Sequence, residues 1–334
     1  MTQPPNTLYI GYKHKIYRST NFGNSWDLIG ILPVSFARRL SSPVRLFRRL
    51  LRYELRSFAI SKNGSMLASS REGVYWAATN NTKFYLTSFL DCCNRSVYSP
   101  MTITADCEGR FIWGEYTLNR LRCPVGIYAS YDGGRTHYLI HEFTSGEVRH
   151  VHQVVEDTED KCFWVFTGDV GNECGILQLS WDLKKIEWVV RGKQLFRAVV
   201  AFPLGNKLIY ATDSELSQNY ICCLDKKAKT IEKIGEIDGS CIYGTKAGRH
   251  LVLSTTIEPS RYIKTKMATL LCSSDGLSWT KYLEVAKDIW PGKLFQYGSI
   301  VLPRGQWDSD KTVFSGQALK GIDNRVYIAE VIEE

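Results

Sequence analysis

"SYDGGRTH", residues 130–137, is the stretch that decides the fold, because its pattern returns along the chain. "STNFGNSW" (19–26) and "SSDGLSW" (273–279) share its frame of serine, an acidic residue or asparagine, glycine and a closing ring. "SWDLKKIEW" (180–188) is a degenerate copy of the same frame. In such a turn, serine and acidic side chains bond the turn amides, and glycine takes the left-handed position. The frame therefore predicts one tight hairpin turn that is used repeatedly.

The spacing of these turns predicts repeated four-stranded sheets. Residues 130 and 180 lie 50 positions apart, and the interval from 180 to 273 holds two such repeats, with a degenerate turn near Asp225. "TNNT" (79–82) marks another repeat between 19 and 130. Repeats of about 50 residues match one blade of a β-propeller. We therefore expect an all-β fold, a single β-propeller domain over residues 1–334, with seven blades and six as the alternative.

The turns resemble the Asp-box, or BNR, turns of sialidase-like β-propellers. A longer frame, from "EVRHVHQVVED" through "CFWVFTGDVGNECGI" to "GKQLFRAV" and "ATDSE", is similar to BNR-repeat proteins encoded near bacterial polysaccharide genes. Those proteins are described as glycosyl hydrolases, so the resemblance implies a carbohydrate context. Sialidases carry an Arg-Ile-Pro type motif near the first blade, which "YKHKIYRST" (12–20) lacks. A sialidase is therefore not expected.

Composition sets the broad class. A hydrophobic content of 44% and an aromatic content of 12% are typical of a globular protein with a large core. No apolar stretch approaches the roughly 20 residues of a membrane span, and "MTQPPNTLYIGY" lacks the regions of a secretory signal. Ten cysteines include adjacent pairs at 92–93 and 222–223 but no CxxC motif, which indicates free thiols. We expect a cytoplasmic protein, with peripheral attachment to a membrane as an alternative.

The positive charge is concentrated in one segment. The chain carries a formal charge of +8, and residues 34–56 contain seven arginines against Glu54. Leucines recur there at roughly helical intervals, which predicts a short basic amphipathic helix near 35–56, inserted on the rim of the propeller. Its expected ligand is an anionic membrane surface or protein partner, bound by Arg45, Arg48, Arg49 and Arg52. Nucleic acid is not expected, because few aromatic residues accompany the arginines.

The ends of the strands predict the position of the site. In a propeller blade, the first strand begins and the second strand ends on one face, near the central channel. "HVHQVVED" (150–157) and "CFWVFTGD" (162–169) fit these two strands, so their polar residues converge at the channel mouth. The candidate catalytic residues are His150, His152, Asp169, Glu115 and Glu173. The same rule applied to the other blades gives the candidate substrate-binding residues Arg71, Asn119, Gln194, Arg197, Asp213, Tyr243, Glu258, Trp290 and Gln317.

Three chemistries remain open at this site, with an acidic oligo- or polysaccharide as the expected ligand. A histidine base with Arg197 facing a uronate carboxylate would suit a polysaccharide lyase. Asp169 with Glu115 or Glu173 would suit a glycoside hydrolase. No cofactor is expected, but His150 and His152 lie on one side of a strand, so a divalent metal is the third alternative. A different class of function is a non-enzymatic binding or assembly platform that docks through the arginine-rich insert.

Overall fold

A computed structural model describes residues 7–36, 39, 43–51, 55–90, 96–263, 265–307 and 309–330. The chain divides into two compact units, Met1–Gly192 and Lys193–Glu334, and each is described by itself. Strands dominate both units, which confirms the predicted all-β propeller class. The extent of a single domain over the whole chain stays a prediction.

Over its described residues, the first unit contains four consecutive sheets, the α-helix α1 (Arg45–Leu51) and a short 3-10 helix at Gly171–Glu173. Its elements are β1 (Leu8–Tyr12), β2 (Lys15–Ser19), β3 (Asp27–Ile31), α1 (Arg45–Leu51), β4 (Ser57–Ile60), β5 (Met66–Ser70), β6 (Gly73–Ala77), β7 (Tyr85–Leu86), β8 (Ser88–Leu90), β9 (Thr104–Ala105), β10 (Phe111–Gly114), β11 (Val125–Ser130), β12 (Thr136–Phe143), β13 (His150–Asp157), β14 (Cys162–Gly168), β15 (Gly175–Ser180) and β16 (Ile186–Arg191). The sheets are β1–β3, β4–β7, β9–β12 with β8 added parallel to β12, and β13–β16. Neighbouring strands are otherwise antiparallel, as in propeller blades.

The second unit repeats this plan. Its elements are β17 (Ala198–Leu204), β18 (Lys207–Thr212), β19 (Asn219–Asp225), β20 (Ile231–Ile237), β21 (Ser240–Ala247), β22 (His250–Ile257), β23 (Met267–Ser273), β24 (Thr280–Ala286), α2 (Gly292–Phe295), β25 (Gly298–Val301), β26 (Gln306–Trp307), β27 (Lys311–Gln317) and β28 (Val326–Glu330). Strands β17–β20 form one sheet. Pairing of β22 with β25 joins β21–β24 to β25, β27 and β28 in another sheet, in which β26 pairs in parallel with β21. Over the described residues of both units, the strands form six hydrogen-bonded sheets, and the last of them has eight strands, twice the number in one blade; the number of blades, seven or six, stays a prediction.

The repeated turns have the predicted hydrogen bonds. In the turn between β11 and β12, the hydroxyl of Ser130 donates to Asp132 Oδ1 (3.0 Å) and accepts from the amide of Gly134 (2.9 Å). Asp132 Oδ1 also accepts from the amide of Thr136 (3.0 Å). The same pattern recurs in the turns that begin at Ser19, Ser180 and Ser273.

The core of the first unit lies between sheets that face each other. All seven residues of β14 are buried, which indicates that both faces of this central strand are covered. Phe163 and Val165 of β14 belong to one apolar cluster with Ile112 of β10 and Val151 of β13. Gly114 permits this approach, because a Cβ at that position would lie 2.4 Å from Val151 Cβ. The close contact brings the segment after β10 alongside the start of β13.

A helix forms in the basic segment, but α1 covers only Arg45–Leu51 of the predicted range near 35–56, and two of its arginines are buried where exposed ones were predicted. Arg48 and Arg49 of α1 are only 2% and 3% exposed, whereas Phe47 and Leu50 are exposed. The guanidinium of Arg48 lies 4.8 Å from the centre of the Tyr12 ring, a cation–π contact. The buried arginines therefore contribute to packing within the unit. Arg52 lies outside the described residues, and docking of an anionic partner by this segment stays a prediction.

The described cysteines fit the predicted free thiols. Eight of them are unpaired, and six of these are buried. Cys92 and Cys93 lie outside the described residues. None of the helices formed by the described part of the chain has the length and hydrophobicity to cross a bilayer.

Candidate functional site

The register of β13 and β14 brings the two histidines to Asp169. The strands are antiparallel, and His150 at the start of β13 pairs with Gly168 at the end of β14. Asp169 is the next residue along the chain. A register shift between Val151 and Gln153 marks a β-bulge at His152. Both histidine side chains therefore point to the carboxylate that follows β14.

Three side-chain atoms meet at this point. His150 Nε2 lies 3.0 Å from His152 Nε2 and 3.1 Å from Asp169 Oδ1. The distance from His152 Nε2 to Asp169 Oδ1 is 3.4 Å. His150 and His152 are only 3% and 1% exposed, whereas the Asp169 side chain is 16% exposed. The arrangement is a buried triangle of two imidazoles and one carboxylate, reached from the Asp169 side.

The proton on His150 can be assigned from its other nitrogen. His150 Nδ1 lies 2.7 Å from the backbone carbonyl oxygen of Thr117. A carbonyl oxygen only accepts, so Nδ1 carries the hydrogen and donates. In the neutral ring, Nε2 then presents a lone pair towards His152 and Asp169. The cluster, defined as His150, His152 and Asp169, therefore holds basic atoms in mutual contact.

Arg149 holds the carboxylate from its far side. One of its terminal nitrogens donates to Asp169 Oδ2 at 2.9 Å, which leaves Oδ1 facing the histidines. The Nε of the same arginine donates to the carbonyl oxygen of Leu118 at 2.8 Å. Asn119 reinforces this loop, because its side-chain amide donates to the carbonyl oxygen of Arg149 at 2.9 Å. The ion pair with Arg149 orients Asp169, and the hydrogen bonds to Leu118 and Asn119 hold Arg149 in place.

An aromatic ring and further positive charge adjoin the cluster. The Tyr116 ring is centred 4.2 Å from the His150 ring and 6.0 Å from the His152 ring. Arg56 also contacts Tyr116: its guanidinium lies over the Tyr116 ring, 5.6 Å from the ring centre. Desolvation of the Arg56 guanidinium lowers its pKa, the interaction with Tyr116 raises it, and the charge of Arg71 lowers it further. Arg71 is exposed at the end of the β5–β6 hairpin.

The two predicted glutamates make structural contacts. Both carboxylate oxygens of Glu115 accept backbone hydrogen bonds, from the amides of Tyr98 (2.8 Å) and Gly126 (2.6 Å). Glu173 Oε1 accepts from the Arg122 side chain. Arg122 in turn donates to the carbonyl oxygen of Asn119 at 3.1 Å. These contacts tie together the loops beside the cluster, and a catalytic role for Glu115 or Glu173 stays a prediction.

The remaining predicted residues lie in the second unit. Arg197 and Asp213 are both buried and form an ion pair at 3.6 Å. Gln194 accepts a hydrogen bond from the Ser214 hydroxyl at 2.7 Å. The other four residues lie on or beside strands of the last sheet: Tyr243 on β21, Glu258 after β22, Trp290 before α2 and Gln317 at the end of β27. Their part in substrate binding stays a prediction.

Sequence reasoning missed Arg149, Tyr116 and Arg56. Arg149 had a usable signal, because it directly precedes His150 at the start of the strand. Tyr116 follows Glu115, which the strand-end rule had already selected. Arg56 was assigned to the basic insert, but its side chain donates to the carbonyl oxygens of Ser99 and Tyr116.

Comparison with known proteins identifies the fold alone. No protein-family model matches the sequence, and no curated protein matches it. A chain of the mitotic checkpoint complex superposes with a TM-score of 0.61 at 8% identity, covering 99% of this chain and 88% of that chain. The GH74 enzyme of Niastella koreensis gives 0.53 at 13% identity, covering 83% of this chain and 43% of that chain. Virginiamycin B lyase from Staphylococcus aureus gives 0.51 at 13% identity, covering 84% and 85%.

Proposed function

We propose that this chain binds an acidic glycan at the cluster of His150, His152 and Asp169 and cleaves it by β-elimination. The observation that carries the proposal is the convergence of two buried imidazoles on one carboxylate, beside the guanidinium of Arg149. Buried groups of this kind in mutual contact are typical of catalytic sites. The fold is compatible, because a GH74 enzyme and a lyase are among the similar structures.

The positive charge near the cluster supports an anionic substrate. Arg149, Arg56 and the exposed Arg71 belong to the same unit and carry three positive charges. Guanidinium groups bind carboxylates with paired hydrogen bonds. Tyr116 adds a half-buried ring on which a sugar can stack. A uronate residue, which carries one carboxylate on each ring, fits this chemistry better than a neutral sugar.

The disposition of the carboxylates favours elimination over hydrolysis. A glycosidase needs two carboxyl groups free to act as acid and base or nucleophile. Glu115 has both oxygens bonded to backbone amides, and Glu173 has one oxygen bonded to Arg122 and the other buried away from solvent. Elimination needs instead one base and a cationic group for the uronate carboxylate. The cluster and Arg149 supply both.

The reaction balances with groups of this site. A basic atom of the cluster removes the proton from C5, the carbon next to the uronate carboxylate, while arginine charge stabilises the resulting anion. The electron pair left on C5 forms the C4–C5 double bond, and the C4–O glycosidic bond breaks. The departing oxygen takes up a proton, so the products are one unsaturated uronate end and one new reducing end.

The test uses polygalacturonate and alginate as acidic substrates. With the wild-type protein, we expect new reducing ends together with ultraviolet absorbance from the unsaturated uronate. His150→Ala should lower the rate by about a thousandfold, the range seen for loss of a general base. His141→Ala is the matched control, because His141 lies on β12 and has no contact with the cluster among the described interactions. Its rate should equal that of the wild type.

Two outcomes would contradict the proposal. If new reducing ends form without the absorbance of an unsaturated uronate, the reaction is hydrolysis and not elimination. Failure to bind or cleave any acidic glycan, with the protein folded, would remove the glycan from the account.

A further inference from the structure

We propose that His150 Nε2, His152 Nε2 and Asp169 Oδ1 are the ligands of one divalent transition-metal ion. The three atoms lie 3.0, 3.1 and 3.4 Å apart. A triangle with these sides has a circumradius of about 1.8 Å, shorter than the bonds of about 2.0–2.2 Å that Zn²⁺ makes to imidazole nitrogen and carboxylate oxygen. One ion can therefore lie within bonding distance of all three atoms at once, slightly out of their plane.

The hydrogen-bond pattern also favours a metal ion between these atoms. Nδ1 of His150 is committed as a donor to the Thr117 carbonyl oxygen, so its Nε2 is a lone-pair atom in the neutral ring. A single shared proton can join two of the three atoms and leaves another contact, at 3.1 or 3.4 Å, between lone pairs. A metal ion satisfies all three contacts together.

The surrounding contacts are those that orient metal ligands. A metal-bound histidine commonly donates its other ring N–H to a backbone carbonyl, as His150 does to Thr117. A ligating carboxylate is commonly held by a second hydrogen bond, which Arg149 provides to Asp169 Oδ2. The near-complete burial of both rings fixes their orientation before an ion arrives.

The donor set selects the class of ion. Two imidazoles and one carboxylate suit Zn²⁺, Mn²⁺, Fe²⁺ or Co²⁺, whereas Mg²⁺ and Ca²⁺ take oxygen ligands almost exclusively. Three protein ligands leave at least one position for water or substrate. On the Asp169 side, which is partly exposed, that position can be reached from solvent.

The role of this ion rests on the proposed function, but its binding does not. If His150, His152 and Asp169 hold the ion, their lone pairs would be occupied by it, and the ion would supply Lewis-acid chemistry by lowering the pKa of water at its open position. The ion also adds positive charge where the uronate carboxylate binds. The same three residues are therefore required for cleavage in either case.

The experiment titrates metal into the full-length protein without any glycan. Protein stripped with a chelator and dialysed is titrated with Zn²⁺ by calorimetry, and Co²⁺ is added in parallel to record visible absorption bands. We expect one ion per chain, and Mg²⁺ should give no comparable binding. His150→Ala, His152→Ala and Asp169→Asn should each weaken Zn²⁺ binding by at least about a hundredfold. His141→Ala should bind as the wild type does.

The outcomes separate this inference from the proposed function. Absence of both Zn²⁺ and Co²⁺ binding by the folded wild type overturns the inference, with no variant needed. Binding that persists in all three ligand variants places the ion elsewhere and also overturns it. Zinc binding without turnover of any acidic glycan removes only the proposed function, whereas turnover that persists after complete removal of metal removes the ion from the reaction.

Discussion

Two polar networks of the first unit, the Ser130 turn and the His150 cluster, are built in opposite ways. In the turn, each bond joins residues two to four positions apart, and each has a clear donor and a clear acceptor. In the cluster, the contacts extend from Thr117 to Asp169, and three atoms that can each accept a hydrogen bond lie within 3.4 Å of one another. A network that completes itself locally stabilises a hairpin. The network that joins distant residues around two buried imidazoles is the one at which we propose the functional site.

Replacement of aspartate by asparagine should affect glycan turnover strongly in the cluster and not at all in the turn. Asp169→Asn should lower glycan turnover by about a thousandfold, roughly 4 kcal/mol in activation free energy, because it removes the negative charge that the cluster contains. Asp132→Asn keeps an oxygen acceptor, as Asn21 does in the first turn, and should leave turnover unchanged. Initial rates on polygalacturonate check both. Equal losses of turnover in the two variants would contradict the functional difference between the two networks.

The second effect is the acid sensitivity of His137, which stands where the other turns have tryptophan. This ring is fully buried, and desolvation lowers its pKa from 6.5 to about 4, although the charge of Asp132 opposes the shift. Between pH 6.5 and about 4, His137 is protonated in the unfolded chain but neutral in the folded protein. The free energy of unfolding should therefore fall as the pH drops from about 6.5 towards 4, by up to about 3 kcal/mol.

His137→Phe is the matched variant for this measurement. It keeps a ring against Trp113 and Phe89 but cannot titrate. Urea unfolding at a series of pH values should give a wild-type curve that falls more steeply than that of the variant between pH 6.5 and 4. Parallel curves would show that the ring protonates freely in the folded protein.

The third effect concerns the turn itself. Ser130→Ala removes the buried hydroxyl that accepts from Gly134 and donates to Asp132, so it should cost about 1–2 kcal/mol of unfolding free energy. Thr158→Ala, in the exposed hairpin between β13 and β14, is the control and should be neutral. Turnover should be unchanged in both. A loss of turnover in Ser130→Ala at full occupancy of the folded state would contradict the division between the two networks.

The smallest effect is in the turn at Asp275. Backbone amides of Ser278 and Leu277 lower the pKa of this carboxyl to about 2. A lowered pKa means that the stabilisation is present above the unfolded value near pH 4 and is lost as the pH falls towards 2. Because the carboxyl is almost fully exposed, solvent screening should keep the contribution below about 1 kcal/mol. NMR titration of Asp275 checks the pKa, and a value near 4 would contradict it.

The difference between the networks also explains how far the sequence could predict the structure. The turns were predictable because Ser130, Asp132 and Gly134 bond one another within a few residues. His150 and Asp169 were predictable from the rule that the first strand of a blade begins where the second strand ends, which the pairing of His150 with Gly168 confirms.

The rest depended on contacts distant in sequence. Glu115 has the residue type of a catalytic acid, but its oxygens meet the amides of Tyr98 and Gly126, which no local pattern marks. Arg48 was expected to face solvent, yet it packs on Tyr12, because a long aliphatic stem and a delocalised charge can be buried against an aromatic ring. Local sequence patterns therefore predicted the turns and strands, whereas the contacts of Glu115 and Arg48 depend on residues distant in sequence.

If the proposed function is right, the His150 cluster and its arginines recognise a carboxylate on a sugar. The most direct measurement is calorimetric titration of the wild type and of Arg149→Gln with an oligogalacturonate and with the same oligosaccharide after its carboxylates have been reduced to alcohols. The acidic form should bind the wild type at least about tenfold more tightly than the reduced form, and Arg149→Gln should lose most of that difference. Equal affinity for the two forms, or no binding of either, would contradict the account.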